Sequence, residues 1–509
     1  MTGPMTPPMP ARMRGAPRSA SRDKKGRLRM ILPRFLKAAL GAALFGLSAC
    51  TTTPAEPPRP APFAETEVAG VRWGAIVMTL DGREVFSLNA DERFIPASNT
   101  KVFTSAAAFH YLSGLDVPDP EAGTSLWLAP RGQGEAPDLV LMGAGDPGLM
   151  DSAACVNNCL HQLADAAVAA GITRVHDVIG DDTLLPAAPW GQGWSWNNFV
   201  WYYTAPVSAL TVNENTLGLI VSPGAAPGDP ATYRWAPGDD LLLVDNDLIT
   251  APAGSEPSLR LQRVPGLEIL RLAGYIPADA APRTYAVAVR DPAESAALRL
   301  IVLLSERGVT VEGLMRARHE PAADAPPPTL IARLTPAPVA DSIRRILVNS
   351  QNLHAELLLR RIALARGELS PEGGPEILTA LVAEAGLTPV EAELFDGSGL
   401  STYNRVTPRG MAAFLRWAAA QSWGNDWRAM MPVGGESGTL ARRFKGTSLE
   451  GKIFAKTGSL HGVNALSGYM TARSGQTLIF AVYANDRPAE APSIIGEMDA
   501  NLVRIAEEN

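Results

Sequence analysis

Ser98-Asn99-Thr100-Lys101, Ser350-Gln351-Asn352 and Lys456-Thr457-Gly458 fall in this order along the chain, and their reading decides the fold. Ser98 follows Pro96-Ala97 and opens an Ala-rich helical stretch that runs to about Leu112. Lys101, three residues on, lies on the same helical face, so the two side chains are neighbours. That spacing lets the amine take the hydroxyl proton. A lysine at its free pKa of roughly 10.4 is a poor base at neutral pH. Burial and a second nearby cation, Lys456, would lower it. The helix N-terminus adds a backbone N–H and a partial positive charge for a developing oxyanion. Taken alone, Ser-x-x-Lys also arises by chance in a chain this long.

Ser350-Gln351-Asn352 lies between two helical stretches, Asp341 to Val348 and Leu353 to Ala365. A serine there can pass a proton to a leaving group, and the asparagine can donate to a substrate carbonyl and hold Lys101. The bland reading of the same tripeptide is a helix cap. Lys456-Thr457-Gly458 ends a short strand, Lys452 to Lys456. Lysine and threonine suit a carboxylate, and glycine keeps the strand edge clear for a substrate backbone. The N–H of Ser459 serves as a second oxyanion donor beside that of Ser98.

On these three motifs the chain resembles the penicillin-binding protein and serine β-lactamase superfamily. Within it, the chain is most similar to the class C low-molecular-mass penicillin-binding proteins, the D-alanyl-D-alanine carboxypeptidase/endopeptidase type. Gly145-Asp146-Pro147, Gly180-Asp181-Asp182 and Ala205-Pro206-Val207-Ser208-Ala209-Leu210-Thr211-Val212-Asn213-Glu214-Asn215 look like that family's insertion. Asp396-Gly397-Ser398-Gly399-Leu400-Ser401 and Lys456-Thr457-Gly458-Ser459-Leu460 match its C-terminal half. The resemblance runs from about residue 64 to the end. It implies an α+β catalytic domain from both chain ends, 64–114 and 334–509. Inserted domains fill 115–333, a second domain with a third nested at roughly 216–285. It further implies that Lys101 deprotonates Ser98, which attacks a D-Ala-D-Ala carbonyl of peptidoglycan peptides. Ser350 and Lys456 then relay the proton, Asn352, Lys456, Thr457 and Gly458 bind substrate, and β-lactams acylate the same serine. No cofactor or metal is implied. Some relatives place an acidic residue of the insertion near the substrate's diamino acid. The matching stretch here reads Asn213-Glu214-Asn215, a departure from that pattern.

The remaining texture agrees with α+β. Val71 to Leu80, the turn signal Asp81-Gly82 and Arg83 to Leu88 read as a hairpin. Ala465 to Thr471 and Thr477 to Asn485 read as two more strands, and a last helix runs from about Pro492 to Glu507. Between about 115 and 333, short strands and Gly/Pro-rich loops dominate, closing on the linker Pro321 to Pro328. Ser398 and Ser437 are flanked by glycines outside any Gly-x-Ser-x-Gly elbow and read as turn residues. His461 reads as a rim residue.

Composition excludes other classes. With 46% hydrophobic and 19% charged residues and a net charge of −7, nothing favours nucleic acid. The basic stretch Arg22 to Arg29 precedes an apolar run, Ala38 to Leu47, too short to span a bilayer but suited to a signal peptide. The run ends in Leu47-Ser48-Ala49-Cys50, which resembles a bacterial lipobox with Cys50 as the lipidation site; the rival is an ordinary secretory signal. Residues 1–50 are then a signal, with translation starting at Met30 as an alternative. Thr51 after the cysteine favours, by resemblance, a periplasmic enzyme anchored to the outer membrane. Residues 51–63 are a Pro-rich tether of roughly 40 Å. Cys155 and Cys159 are the other two of 3 cysteines. An exported protein meets an oxidising compartment, and spacing of four leaves a disulfide and two free thiols both open. The 6 histidines show no ligand spacing. The rivals to a DD-peptidase are a serine β-lactamase and a non-catalytic peptidoglycan-binding lipoprotein of the same fold. The first needs a dedicated water-activating group, and the second is at odds with intact motifs.

Overall fold

Thr477–Asn485 is apolar at nearly every position, as suits a strand covered on both faces. Leu478, Phe480, Val482 and Ala484 enter one core, and Ile479, Ala481 and Tyr483 enter another. In the computed structural model this strand is the centre of a five-stranded antiparallel sheet. The order is Ile453–Leu460, Val463–Thr471, Thr477–Asn485, Arg72–Thr79, Glu84–Leu88. The structure describes residues 62–63, 68–239, 242–263, 269–321, 327–368, 370 and 373–509. The signal segment, Cys50, most of the tether and much of the linker Pro321 to Pro328 lie outside the described residues.

The N-terminal hairpin joins the C-terminal meander because Arg72 pairs with Asn485 and Thr79 with Leu478. The helix Ile495–Glu508 packs Met498, Leu502 and Ile505 on one face of the sheet. The other face carries Lys101–Tyr111, Val339–Val348, Asn352–Ala365, Gly373–Glu384 and Pro408–Ala419. Lys101–Tyr111 is buried from Lys101 to Ala108. Its alanines let the surrounding helices approach closely.

The chain between these halves leaves and returns on neighbouring strands, since Ser125–Ala129 pairs antiparallel with Thr329–Arg333. These two belong to a mixed five-stranded sheet with Met315–Arg318, Val178–Asp181 and Asp138–Met142. Helices Leu160–Ala169 and Pro292–Glu306 share its core. Two three-stranded sheets between Thr216 and Ala288 enclose a further core around Leu219, Leu248 and Leu272. Buried Arg299 ties the two layers, pairing with Asp151 at 3.0 Å and with Asp239.

Two local features differ from the sequence reading, and a third decides between alternatives it left open. Ser98 sits on a 3-10 turn, Ala97–Thr100, and the α-helix proper begins at Lys101. The strand of the third motif does not stop at Lys456 but runs on to Leu460, reversing at Gly462 with φ +70°. Cys155 and Cys159 are bridged. Cys159 is the N-cap of the helix Leu160–Ala169, so the bridge closes the loop ahead of that helix rather than a helical turn.

Candidate active site

The turn that carries Ser98 is wedged between two glycines. A Cβ on Gly458 would stand 2.5 Å from the Pro96 carbonyl oxygen, and one on Gly399 would stand 1.9 Å from that of Ala97. Asn99 donates its Nδ2 to the Lys456 carbonyl at 2.7 Å and locks the turn to the strand. Gly458 therefore admits the seat of the nucleophile, while its strand, Ile453–Leu460, remains the edge strand of the sheet as the sequence reading expected. Ala97 itself holds φ 48°, a conformation costly for a residue with a Cβ.

Lys101 is wholly buried. Its Nζ lies 2.9 Å from Ser98 Oγ, 2.6 Å from Asn352 Oδ1 and 2.5 Å from the Ser398 carbonyl oxygen. Burial pulls its pKa down to about 7, against the opposing pull of Asp396 and Glu356. The amine is thus held beside the hydroxyl in a form able to accept its proton. Lys456, also wholly buried, reaches Ser350 Oγ at 2.8 Å and the Thr457 carbonyl at 2.8 Å. Burial, then the Lys101 charge, push it well below the ordinary lysine range.

Ser350 joins two helices with φ 60°. Gln351 caps the second helix by accepting the Leu353 N–H at 2.9 Å and donates to Glu214. Asn352 gives one N–H to the Tyr203 carbonyl at 2.7 Å, which turns its Oδ1 toward Lys101 and leaves a second N–H for substrate. Glu214 stands in the middle of three successive left-handed residues, Asn213, Glu214 and Asn215, with φ 51°, 54° and 55°. Arg345 pairs with it and the His354 ring lies 3.4 Å away. These groups hold its carboxyl below the usual glutamate range despite the upward push of burial.

A cleft of about 780 Å³ opens onto Ser98, Ser350, Asn352, Ser459, Glu214 and His461. Two predicted residues, Lys456 and Thr457, stand beside the cleft rather than in its lining. Lys456 stays behind Ser350, so it acts on the cleft through that hydroxyl. Thr457 Oγ1 bonds Thr439 Oγ1 at 2.9 Å, at the accessible end of the same strand. Ser398 and Ser437 are turn residues, the latter accepting the Val433 N–H at 2.9 Å. The bridged Cys155 and Cys159 lie in the insertion. Asp138, His176 and Asp177 gather ligand atoms within 4.8 Å of one another. Arg131 and Arg316 pair with those acids, making the group an ion-pair network.

Sequence reading missed Tyr203 and Arg345 as parts of the site, along with Glu356 and Asp396 behind Lys101. Glu356 left a signal: it follows Asn352 by four residues, on the same helical face.

A model of the D-Ala-D-Ala carboxypeptidase 3 (S13) family matches residues 62–505. The D-alanyl-D-alanine carboxypeptidase of Actinomadura sp. (strain R39) is 34% identical over 472 residues, covering 88% of this chain and 82% of that protein. The D-alanyl-D-alanine carboxypeptidase DacB of Haemophilus influenzae is 24% identical, covering 82% and 86%. The crystal structure of penicillin binding protein 4 from Haemophilus influenzae superposes with a TM-score of 0.74 at 22% identity, over 86% of this chain and 96% of that one. Its complex with a β-lactam superposes at 0.68 and 21% identity, over 86% and 95%.

Proposed function

As this chain belongs to the D-Ala-D-Ala carboxypeptidase 3 (S13) family, we propose that Ser98 opens the D-Ala-D-Ala bond through an acyl-enzyme with Lys101 as its base. The protein is a serine D-Ala-D-Ala carboxypeptidase. The observation that carries the residue roles is the 2.9 Å approach of a buried Lys101 amine, with a pKa of about 7, to Ser98 Oγ.

The steps follow from that contact. Lys101 Nζ takes the Ser98 proton as Oγ bonds the carbonyl carbon. The backbone N–H groups of Ser98 and Ser459 stabilise the oxyanion. The tetrahedral intermediate collapses as Ser350 gives its proton to the departing D-Ala nitrogen and regains the one Lys101 took from Ser98, with Lys456 holding Ser350 Oγ across their 2.8 Å contact. Asn352 and Thr457 hold the substrate. Water then attacks the acyl-enzyme and frees the peptide.

Acylation of Ser98 by β-lactams belongs to the same reading, as does cleavage of D-amino-acid cross-links. The β-lactam complex of the Haemophilus influenzae structure supports the former. Glu214 is engaged by Arg345 and Gln351, which argues against its use as a water-activating base and so against a β-lactamase. The lipobox at Cys50 supports an enzyme tethered in the periplasm to the outer membrane. Replacing Cys50→Ala should release the protein into the soluble periplasmic fraction; retention in the membrane fraction speaks for another anchor.

The deciding experiment is Ser98→Ala. The variant should bind no fluorescent penicillin covalently and release no D-alanine from a pentapeptide muropeptide. Persistent labelling at the same site would sink the assignment. Muropeptide monomers and dimers incubated with the wild type then set carboxypeptidase against endopeptidase activity.

A further inference from the structure

Lys101 has an anchor behind the cleft that the acyl-transfer steps leave unused. Its Nζ reaches the Ser398 carbonyl oxygen at 2.5 Å. The same turn is gripped from the other side by Glu356, whose Oε1 accepts the N–H of Ser398 at 2.7 Å and of Gly397 at 3.0 Å. Glu356 is 6% exposed and belongs to the helix of Asn352, which holds Lys101 from the cleft side. One helix therefore places two side chains, four residues apart, around a single amine. Asp396 closes the turn by accepting the N–H of Gly399 at 2.9 Å and Ser401 at 2.7 Å, Asn404 Nδ2 at 2.7 Å and the Trp194 indole at 2.9 Å. A separate cavity of about 380 Å³ reaches Glu356 and Asp396 from behind, past Arg360 and Phe395.

The donors on Asp396, with the Ser398 hydroxyl at 3.3 Å among them, account for it as the brace of a turn. Glu356 is different. A neutral glutamine could accept the same two N–H bonds, so hydrogen bonding alone does not call for a buried acid beside a buried amine. An amine that becomes an ammonium on taking a proton gains from a nearby carboxylate, as the imidazolium of a catalytic triad does.

We propose that Glu356 is a positioning residue of the acyl transfer, its carboxylate acting through the Ser398 peptide to hold Lys101 against Ser98 and to counter-charge the ammonium formed there. In that step the Ser98 O–H bond breaks, the proton moves to Lys101 Nζ, and the oxygen pair bonds the substrate carbonyl carbon. Glu356 exchanges no proton. The proposal rests on the reading of Ser98 as nucleophile and Lys101 as base.

The charges around the pair fix the sign of the pH effect. Asp396 from the turn, Arg360 from the helix and Lys456 from the strand face it, with Asp182 beyond Arg360. Burial lowers Lys101 to about 7 while Asp396 and Glu356 pull it up. Burial, then the Asp396 charge, raise Glu356 above the usual glutamate range, while hydrogen bonding from Ser398, the Arg360 charge and the Gly397 N–H favour its carboxylate form. Removing the Glu356 charge leaves burial less opposed, so the Lys101 pKa falls further. The acid limb of acylation then moves to lower pH while the plateau drops.

The test is the rate constant of acylation by a fluorescent penicillin from pH 5 to 9, for wild type, Glu356→Gln and Glu356→Asp, normalised to the labelling-competent fraction. Glu356→Gln should lose about a hundredfold at the plateau, at unchanged noncovalent affinity, with its limb displaced to lower pH. Glu356→Asp, which keeps the charge, should keep the limb at the wild-type pH on a reduced plateau. A wild-type plateau and limb in Glu356→Gln overturns the proposal. So does an equal loss in both variants with the limb unmoved, which marks a purely structural side chain. If Glu356→Gln does not fold, Glu356→Asn takes its place against Glu356→Asp: a limb displaced to lower pH in Glu356→Asn alone supports the proposal, and the same limb and plateau in both overturn it. Labelling of Ser98→Ala would fault the nucleophile reading instead.

Discussion

The turn of Ser98 and the turn of Ser350 meet in one cleft but are held by different parts of the molecule. The first is seated between Gly399 and Gly458 and locked by Asn99 to the strand of Lys456. The second leans on the insertion, through Asn352 to the Tyr203 carbonyl and Gln351 to Glu214. Each includes a residue with a Cβ at positive φ, Ala97 at 48° and Ser350 at 60°. Such residues cost about 1–3 kcal/mol each and persist only where their surroundings dictate them. The comparison teaches that the insertion is one wall of the catalytic centre, not a module hung beside it.

The sharpest way to break the first half is Gly399→Ala. The added methyl meets the Ala97 carbonyl and must displace the nucleophile turn, so penicillin acylation should fall roughly a hundredfold or more. Wild-type rates would show that the turn can shift at no cost. Next, acylation should drop about tenfold per pH unit below 7, because Lys101 is protonated there and only its free amine accepts the serine proton. A flat profile from pH 5 to 7 would remove Lys101 as the base. The second half is probed by Glu214→Gln, which loses the Arg345 ion pair and loosens Gln351. A loss of roughly threefold to tenfold in acylation is expected, with little change in melting temperature. No loss would make the insertion a passive wall. The smallest effect on catalysis belongs to the paired change Cys155→Ser and Cys159→Ser. It should cost up to about 2 kcal/mol of stability by loop entropy and leave acylation unchanged.

Much of this was legible in the sequence because the chemistry is local. Ser98 and Lys101 are three residues apart on one face, and Gly-flanked Ser398 reads as a turn. The continuous apolar run of Thr477–Asn485 shows a strand covered on both faces, and the hairpin at Asp81-Gly82 carries its own turn signal. What was not legible depends on distant segments meeting. Lys456 looks like a carboxylate ligand from its motif, and only the fold seals it behind Ser350. Gly458 looks like a clear strand edge, and only the packing of Pro96 shows what its missing side chain admits. Tyr203 contributes a backbone carbonyl, which no side-chain pattern can announce. Glu356 was within reach by helical spacing, yet its weight depends on the Ser398 peptide brought in from forty residues further on.

The pairing of Arg72 with Asn485 also sets a timetable for the molecule's birth. The N-terminal hairpin is among the first described segments to be made, and its partner strand is among the last. Until Thr477–Asn485 arrives, the strand Arg72–Thr79 has an open edge and Ser98 has no sheet to lean on. The intervening sheet of Ser125–Ala129 and Thr329–Arg333 can close earlier, bringing the two halves toward each other and shortening the loop that remains to be closed. A chain whose longest contacts form last folds slowly and stays open to aggregation while it waits. The same delay keeps Ser98 inert until nearly the whole chain has been delivered.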